Sequence, residues 1–268
     1  MSNLVLKDEF SWLKEKEKEW DYEKTNNTFK DNLIKMRYDG VYKFRVVPPF
    51  QKDGSDFMVQ FGQHWNLFPK ADGGAQVVGC PKITYRQECP ICSAIDELIR
   101  TKRRTYQDFN GMNGIAAQRR YLIRVIFIDY QGQGTITADP NSPKLLVAPV
   151  TIAKYIQDKL RDEDYGPDGI IGIKTGQVLR IKRDKNKREY YTADVMGTKY
   201  EIPKDLLSVE QWPNPYDFIP KESTQDLYKI LSENYNDIDV DIAKIAMSIP
   251  THNAIPQQTK DFDELDKL

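Results

Sequence analysis

Sustained alternation of apolar and polar side chains, the mark of a strand with one buried face, first appears over residues 40–47, GVYKFRVV. It places Tyr42, Phe44 and Val46 on one face and Val41, Lys43, Arg45 and Val47 on the other, and Pro48-Pro49 ends it. The extended pattern resumes over 57–65, where Phe57, Val59 and Phe61 alternate with Met58 and Gln60, and His64 closes the run. Residues 121–129, YLIRVIFID, are β-branched, aromatic and apolar on both faces apart from Arg124, which predicts a central strand. Further strands are predicted over 144–150, 170–174, 178–183 and 190–196, the last two joined by the charged turn 184–188 as a closing hairpin.

Helical spacing occurs in other places. Residues 11–24 mix Lys and Glu with Trp12, Leu13 and Trp20, which reads as an exposed arm supported by ion pairs four residues apart. SAIDELIR, 93–100, predicts a helix with Ser93 as its cap, and Thr151 is placed to cap another over 152–160. After Pro203 the strand signal stops, and segments from Thr224 and from Val240 read as two helices. The expected class is mainly β with appended helices (α+β). Several short strands with a helix between the middle groups suit an OB-type barrel. The expected organisation is an N-terminal helical arm at 1–38, the core at 39–207, and a helical, acidic C-terminal region at 208–268 whose tail from about 255 is too polar to pack.

Charge changes this picture by dividing it. The 268 residues carry a net charge of −1, but residues 205–268 hold 13 acids against 5 bases while the preceding part holds 27 acids against 34 bases. A basic body attracts polyanions, and an acidic tail tethered to it competes for the same surface or recruits a basic partner. No apolar run approaches the roughly 20 residues that span a bilayer, and the acidic opening MSNLVLKDEF does not resemble an export signal. The expected location is the cytoplasm, where thiols stay reduced.

Three cysteines cannot all pair, and two form Cys89-Pro90-Ile91-Cys92. In a reducing compartment this spacing favours metal or redox chemistry over a disulfide framework. Cys80 is close enough in sequence to join, and of the two histidines His64 ends a nearby strand whereas His252 sits in the acidic part. The expected site is one structural Zn2+ held by His64, Cys80, Cys89 and Cys92, within a subdomain inserted at about 62–105. A thioredoxin-like motif would need a βαβ context and has no use for Cys80, and a Cys–His nucleophile would need an orienting base. Four protein ligands leave no position for an activated water, and no catalytic motif is recognisable, so no enzyme is expected.

Basic and aromatic residues interleave in three segments, the combination by which single strands are bound: cations neutralise phosphates and rings stack on bases. The first holds Tyr85 and Arg86, then Lys102, Arg103, Arg104 and Tyr106. The second holds Arg119, Arg120, Tyr121 and Arg124, and the third Lys182, Arg183, Lys185, Lys187, Arg188, Tyr190 and Tyr191. Of the last two tyrosines, one faces the core and its neighbour the outside. There is no helix-turn-helix pattern, zinc-finger spacing or P-loop.

From Gly40 to Leu207 these features, GVYKFRVVPP, His64, Cys80, the CPIC motif, YLIRVIFID and the late block GIIGIKTGQVLRIKRDKNKREYYTADV, resemble the T-even-type phage helix-destabilising single-stranded-DNA-binding proteins. The resemblance implies an OB fold with an inserted zinc subdomain, ligands at His64, Cys80, Cys89 and Cys92, and stacking positions at Tyr85, Tyr106 and Tyr121. It also implies roles in DNA replication, recombination and repair. The tail Asp261, Phe262, Asp263, Glu264, Leu265 and Asp266 would recruit replisome proteins and compete with DNA for the groove. The family's N-terminal segment is basic, whereas residues 7–24 are mixed in sign here, so cooperative binding does not carry over. Two other readings share these features: an RNA-binding translational repressor, and a zinc-ribbon replisome scaffold acting through its tail.

Overall fold

The computed structural model describes residues 32–65, 67, 77–110, 114–136, 138–187, 189–235 and 238–248. The expected N-terminal arm and the acidic tail lie outside these residues. The described chain forms two compact units, one built from 32–64, 77–87 and 117–221, the other from 65–67, 88–116 and 222–248.

The first unit carries a mixed sheet of eight strands: β1 Leu33–Ile34, β2 Gly40–Val46, β3 Met58–His64, β4 Val78–Gly79, β5 Gln118–Gly132, β6 Ser142–Pro149, β7 Gln177–Arg183 and β8 Tyr191–Lys199. Their order is β1-β6-β5-β2-β7-β8, with β3 paired to both β5 and β4. Only β1 and β6 run parallel. With its helices this is an α+β architecture. Among the described residues no pairing joins β1 to β8, so the sheet does not close into a barrel.

β5 organises the sheet. Along one edge it pairs with β6 over 120–127; along the other, residues 118–123 take β3 and residues 125–132 take β2. Its run of apolar residues on both faces is explained by what covers it. Ile123, Val125 and Phe127 enter the main core with Tyr42, Phe44, Leu146 and Ile181, closed by Ile152, Ala153 and Ile156 of helix α4, Val150–Leu160. Leu122 packs with Val59 and Phe61, and Ile126 with Val47, Ile202 and Trp212, on the opposite face. Helix α4 starts at Val150 after Pro149, with no side-chain cap, so Thr151 lies inside its first turn rather than before it.

Arg45 is fully buried on the second face of β2, where alternation alone suggested exposure. Among the described residues no carboxylate is a hydrogen-bond acceptor of its guanidinium. It donates to the backbone oxygens of Tyr200 (3.0 Å), Ile170 (2.7 Å), Gly172 (2.5 Å) and Val46. Burial pulls its pKa down to about 10, which leaves it charged at neutral pH. This clamp explains why 170–174 is not the predicted strand. Gly166–Ile170 is a short helix, α5, begun by Pro167, and the following turn offers its carbonyls to Arg45 instead of to a neighbouring strand. A Cβ at Gly176 would lie 2.0 Å from Arg45 Nη2, so only glycine admits the clamp.

Arg124 is likewise buried, bonded to Asp56 Oδ2 at 2.5 Å and to Asp56 O at 3.1 Å. The same carboxylate accepts the N–H groups of Phe50 and Gln51, and Phe50 lies under the guanidinium at 5.3 Å. A charge inside a central strand is tolerated because its partner is buried with it.

In the second unit, helix α2, Pro90–Arg100, packs Ile91, Ala94, Ile95 and Leu98 inward against α6, Thr224–Glu233, and α7, Val240–Ser248. The one-turn helix α3 spans Tyr106–Phe109. Both C-terminal helices fall where hydrophobic spacing predicts them.

Replacing Gly176 by alanine is expected to cost about 2–3 kcal/mol, since the guanidinium it strikes is held by carbonyls and cannot move aside. Gly169→Ala, whose Cβ would sit at an ordinary 3.4 Å from Tyr165, stays within about 0.5 kcal/mol of the parent. Urea unfolding midpoints of the two variants check this. The Tyr42 phenol is pushed up to about 12, mainly by burial. A folded value above the unfolded one means this stability is intact below about pH 10 and is lost as pH rises toward 12. Ultraviolet titration should find a tyrosinate forming near pH 12 that Tyr42→Phe removes.

Candidate metal centre and basic surfaces

β3 ends at His64, and β4 folds back on it with Gly79 opposite Gln63 and Val78 opposite His64. Cys80 follows at once, its N–H donating to Gly62 O at 2.9 Å. Thr84 Oγ1 accepts the Gly62 N–H at 3.0 Å and donates to Cys80 O at 2.9 Å. These bonds press the one-turn helix α1, Pro81–Thr84, against Gly62, where a Cβ would meet Ile83 Cβ at 2.5 Å and Cys80 Cβ at 3.0 Å. Gly62 therefore sets the approach of Cys80 to the strand that carries His64.

Cys89 is the N-cap of α2 and Cys92 lies in its first turn, with Ser93 N–H donating to Cys89 O at 3.0 Å. Ser93 is thus not the cap that its residue type suggested. Proline fits the first helical position, where its φ is already set and its missing N–H costs nothing, so the helix begins at Pro90 and takes the cysteines into its start.

The ligand atoms of His64, Cys80, Cys89 and Cys92 all lie within 4.8 Å of one another. His64, Cys80 and Cys89 are buried and Cys92 is partly exposed. A tetrahedral zinc with bonds of about 2.0–2.3 Å has ligand edges of about 3.3–3.8 Å, so an ion would draw the group in by about 1.5 Å at most. Three thiols and an imidazole are a structural zinc donor set. The group can hold one metal ion.

The residues expected to meet nucleic acid divide sharply. In the sheet unit, Arg86, Arg119, Lys182, Lys185 and Lys187 are exposed, as are Tyr85 and Tyr190. In the helical unit Lys102, Arg103 and Tyr106 are exposed, Tyr106 at 57%. Arg124 is withdrawn by its buried pair with Asp56, a correction to its expected place on the binding face. Arg104 is engaged by Asp239 at 2.7 Å and Asp241 at 3.3 Å and lies over the Phe109 ring, so the helical unit uses its charge internally. Arg183 is paired with Asp39 at 2.7 Å. Arg120 is half-buried, donating to Gln118 Oε1 at 2.6 Å, and burial lowers its pKa. Tyr121 packs on the core edge and its hydroxyl meets Gln60 Oε1 at 3.3 Å. Tyr191 packs against the main core while Tyr190 is 42% exposed, which settles the direction of that pair. Arg188 and the tail residues 261–266 lie outside the described residues.

Sequence reasoning missed Tyr38. It is 43% exposed at the start of β2, its ring lying against Gly134. The next residue, Asp39, accepts hydrogen bonds from Arg183 and, at 3.1 Å, from the Lys185 N–H, pinning the β7–β8 turn beside it. The isolated Tyr38-Asp39-Gly40 carries no periodic signal, and only strand pairing brings it to the basic turn.

The purified chain is expected to contain one zinc per molecule. Cys80→Ser or Cys89→Ser should lower that content and bring down the melting temperature, because a structural zinc contributes on the order of 10 kcal/mol in small zinc-binding peptides. Gly62→Val, which alters no ligand, should weaken zinc retention as well. Metal analysis alongside thermal melts in chelator measures all three.

No protein-family model matches this chain, and no curated protein matches it either.

Proposed function

We propose that this chain binds single-stranded DNA without sequence preference and without catalysis, as the T-even-type phage proteins that it resembles do in replication, recombination and repair. The sheet would then be a partly open OB-type barrel, and zinc at His64, Cys80, Cys89 and Cys92 would fix the zinc subdomain. With four protein ligands, no position on the ion is left for a reacting water.

One observation carries the reading: a corner of the sheet unit where exposed Tyr38 and Tyr190 accompany exposed Lys182, Lys185 and Lys187, with Asp39 tying the turn to β2. Rings supply stacking faces of about 1–3 kcal/mol per base, and lysines supply phosphate neutralisation without a fixed hydrogen-bond geometry. Glu189 is an exposed acid in the same turn, outnumbered by these lysines. Such a surface suits a flexible strand better than a duplex, which would call for an element shaped to a groove. The helical unit adds Lys102, Arg103 and Tyr106 of like chemistry.

Titration with fluorescent poly-dT, with the equivalent duplex and with RNA of the same length tests the reading. Expected is single-strand preference with a log–log salt slope of about −0.7 per neutralised phosphate. Reversing Lys182, Lys185 and Lys187 to Glu should weaken binding at least about tenfold and flatten the slope by about 0.7 per lost contact. Removal of residues 261–268 should tighten binding. Equal affinity for duplex, or binding indifferent to salt, overturns the reading; preference for RNA favours the translational-repressor alternative.

A further inference from the structure

The pairing of β2 with β7 ends with Gly40 opposite Arg183, and exposed Lys185 and Lys187 lie just past that end. The turn that carries them is closed by its own bonds. Asp184 N–H donates to Tyr190 O at 3.0 Å, Lys187 N–H to Asp184 O at 3.2 Å, and Asn186 N–H to Asp184 Oδ1 at 3.1 Å. A carboxylate oxygen then ties this turn to β2 beyond the ladder: Asp39 Oδ1 accepts the Lys185 N–H at 3.1 Å and Arg183 Nη1 at 2.7 Å. Asp39 is itself anchored. Its carbonyl accepts the Gln133 N–H at 3.2 Å and the Tyr130 hydroxyl at 3.0 Å. The preceding Tyr38 is held at both backbone groups by the hydroxyl of buried Tyr42, which accepts its N–H at 3.1 Å and donates to its oxygen at 2.8 Å. A Cβ at Gly132 would lie 2.4 Å from Asp39 O, so glycine is what lets β5 come this close.

An acid inside a basic surface repels a polyanion, and this one also occupies Arg183. Charge alone therefore predicts that removing Asp39 tightens binding to a strand. We infer the opposite sign: Asp39 is a positioning residue that holds the Lys185–Lys187 turn beside Tyr38 before DNA arrives, and single strands bind more weakly without it. A loose turn would have to be ordered on binding, which lowers affinity. The repulsion that opposes this is small, because a carboxylate already paired with a guanidinium presents little net charge to a phosphate. The inference rests on the single-strand reading above and adds what prepares that surface.

Poly-dT titrations of the full chain over a range of salt compare three substitutions. Asp39→Ala is expected to weaken binding about three- to tenfold and to lower the log–log salt slope by about 0.7, although it removes a negative charge. Asp39→Asn, which keeps an oxygen for the Lys185 N–H, should stay within about twofold of the parent. Glu189→Gln, which removes the exposed acid of the same turn, should bind no more weakly than the parent. In a chain already carrying Lys185→Ala and Lys187→Ala, Asp39→Ala should change affinity by less than about twofold, since the residues it positions are gone. Hydrogen exchange at the Lys185 amide, slow in the parent and faster in Asp39→Ala, reads the tie without DNA. Tighter binding by Asp39→Ala, an undiminished loss in the lysine-free chain, or an unprotected Lys185 amide in the parent overturns the inference alone. A parent chain that does not bind poly-dT overturns the single-strand reading and the inference with it.

Discussion

A strand too long for any one partner, and apolar on both faces, constrains the sheet unit. β5 runs for 15 residues, and its free edge is divided between β3 and β2. Each must end where the other begins, which places the His64 end of β3 opposite the start of β5 and the Gly40 end of β2 opposite its finish. Its two buried faces demand two coverings. One is the main core beneath α4; the other is assembled from β3, the Phe50 region and the 202–212 segment. An alternating strand would have needed only one.

The second covering contains both buried arginines. Arg124 is matched by an acid, whereas among the described residues Arg45 is matched by the backbone carbonyls of Val46, Ile170, Gly172 and Tyr200, which accept from it. Each solution ties irregular chain to regular sheet, because a guanidinium has donors to satisfy in a fixed fork and cannot be buried by apolar packing alone. The turn around Gly172 and Gly176 is therefore ordered by charge rather than by its own propensity.

The same property sorts the basic residues by use. Where an acid lies within reach, as for Arg104, Arg124 and Arg183, the planar guanidinium is held by it and its charge is neutralised locally. Lys102, Lys182, Lys185 and Lys187 stay in solvent, as strongly hydrated ammonium groups do. A count of Lys and Arg along the chain thus overstates the surface free to meet a polyanion. Lysines and tyrosines at the corner of β2 and β7 are exposed, as are Arg86, Arg119, Lys102, Arg103 and Tyr106.

Period and residue type were enough to place strands β2, β3, β5, β7 and β8 and helices α2, α4, α6 and α7 within a few residues, because each buries an apolar face that its own sequence displays. They were also enough to single out His64, Cys80, Cys89 and Cys92, which the structure brings together as a group that can hold a metal ion, since few side chains in the chain have that chemistry and they lie close together along it. Tertiary structure decided what depends on partners distant in sequence. Residues 170–174 gave up a strand-like pattern because Arg45, 125 positions from Ile170, claimed their carbonyls. Arg124 and Tyr191 turned inward and Tyr38 joined a basic turn, none of which a local pattern records. Local sequence sets how each segment satisfies its own backbone and its own apolar face. Only the assembled fold determines which charge or hydroxyl finds its partner across the chain.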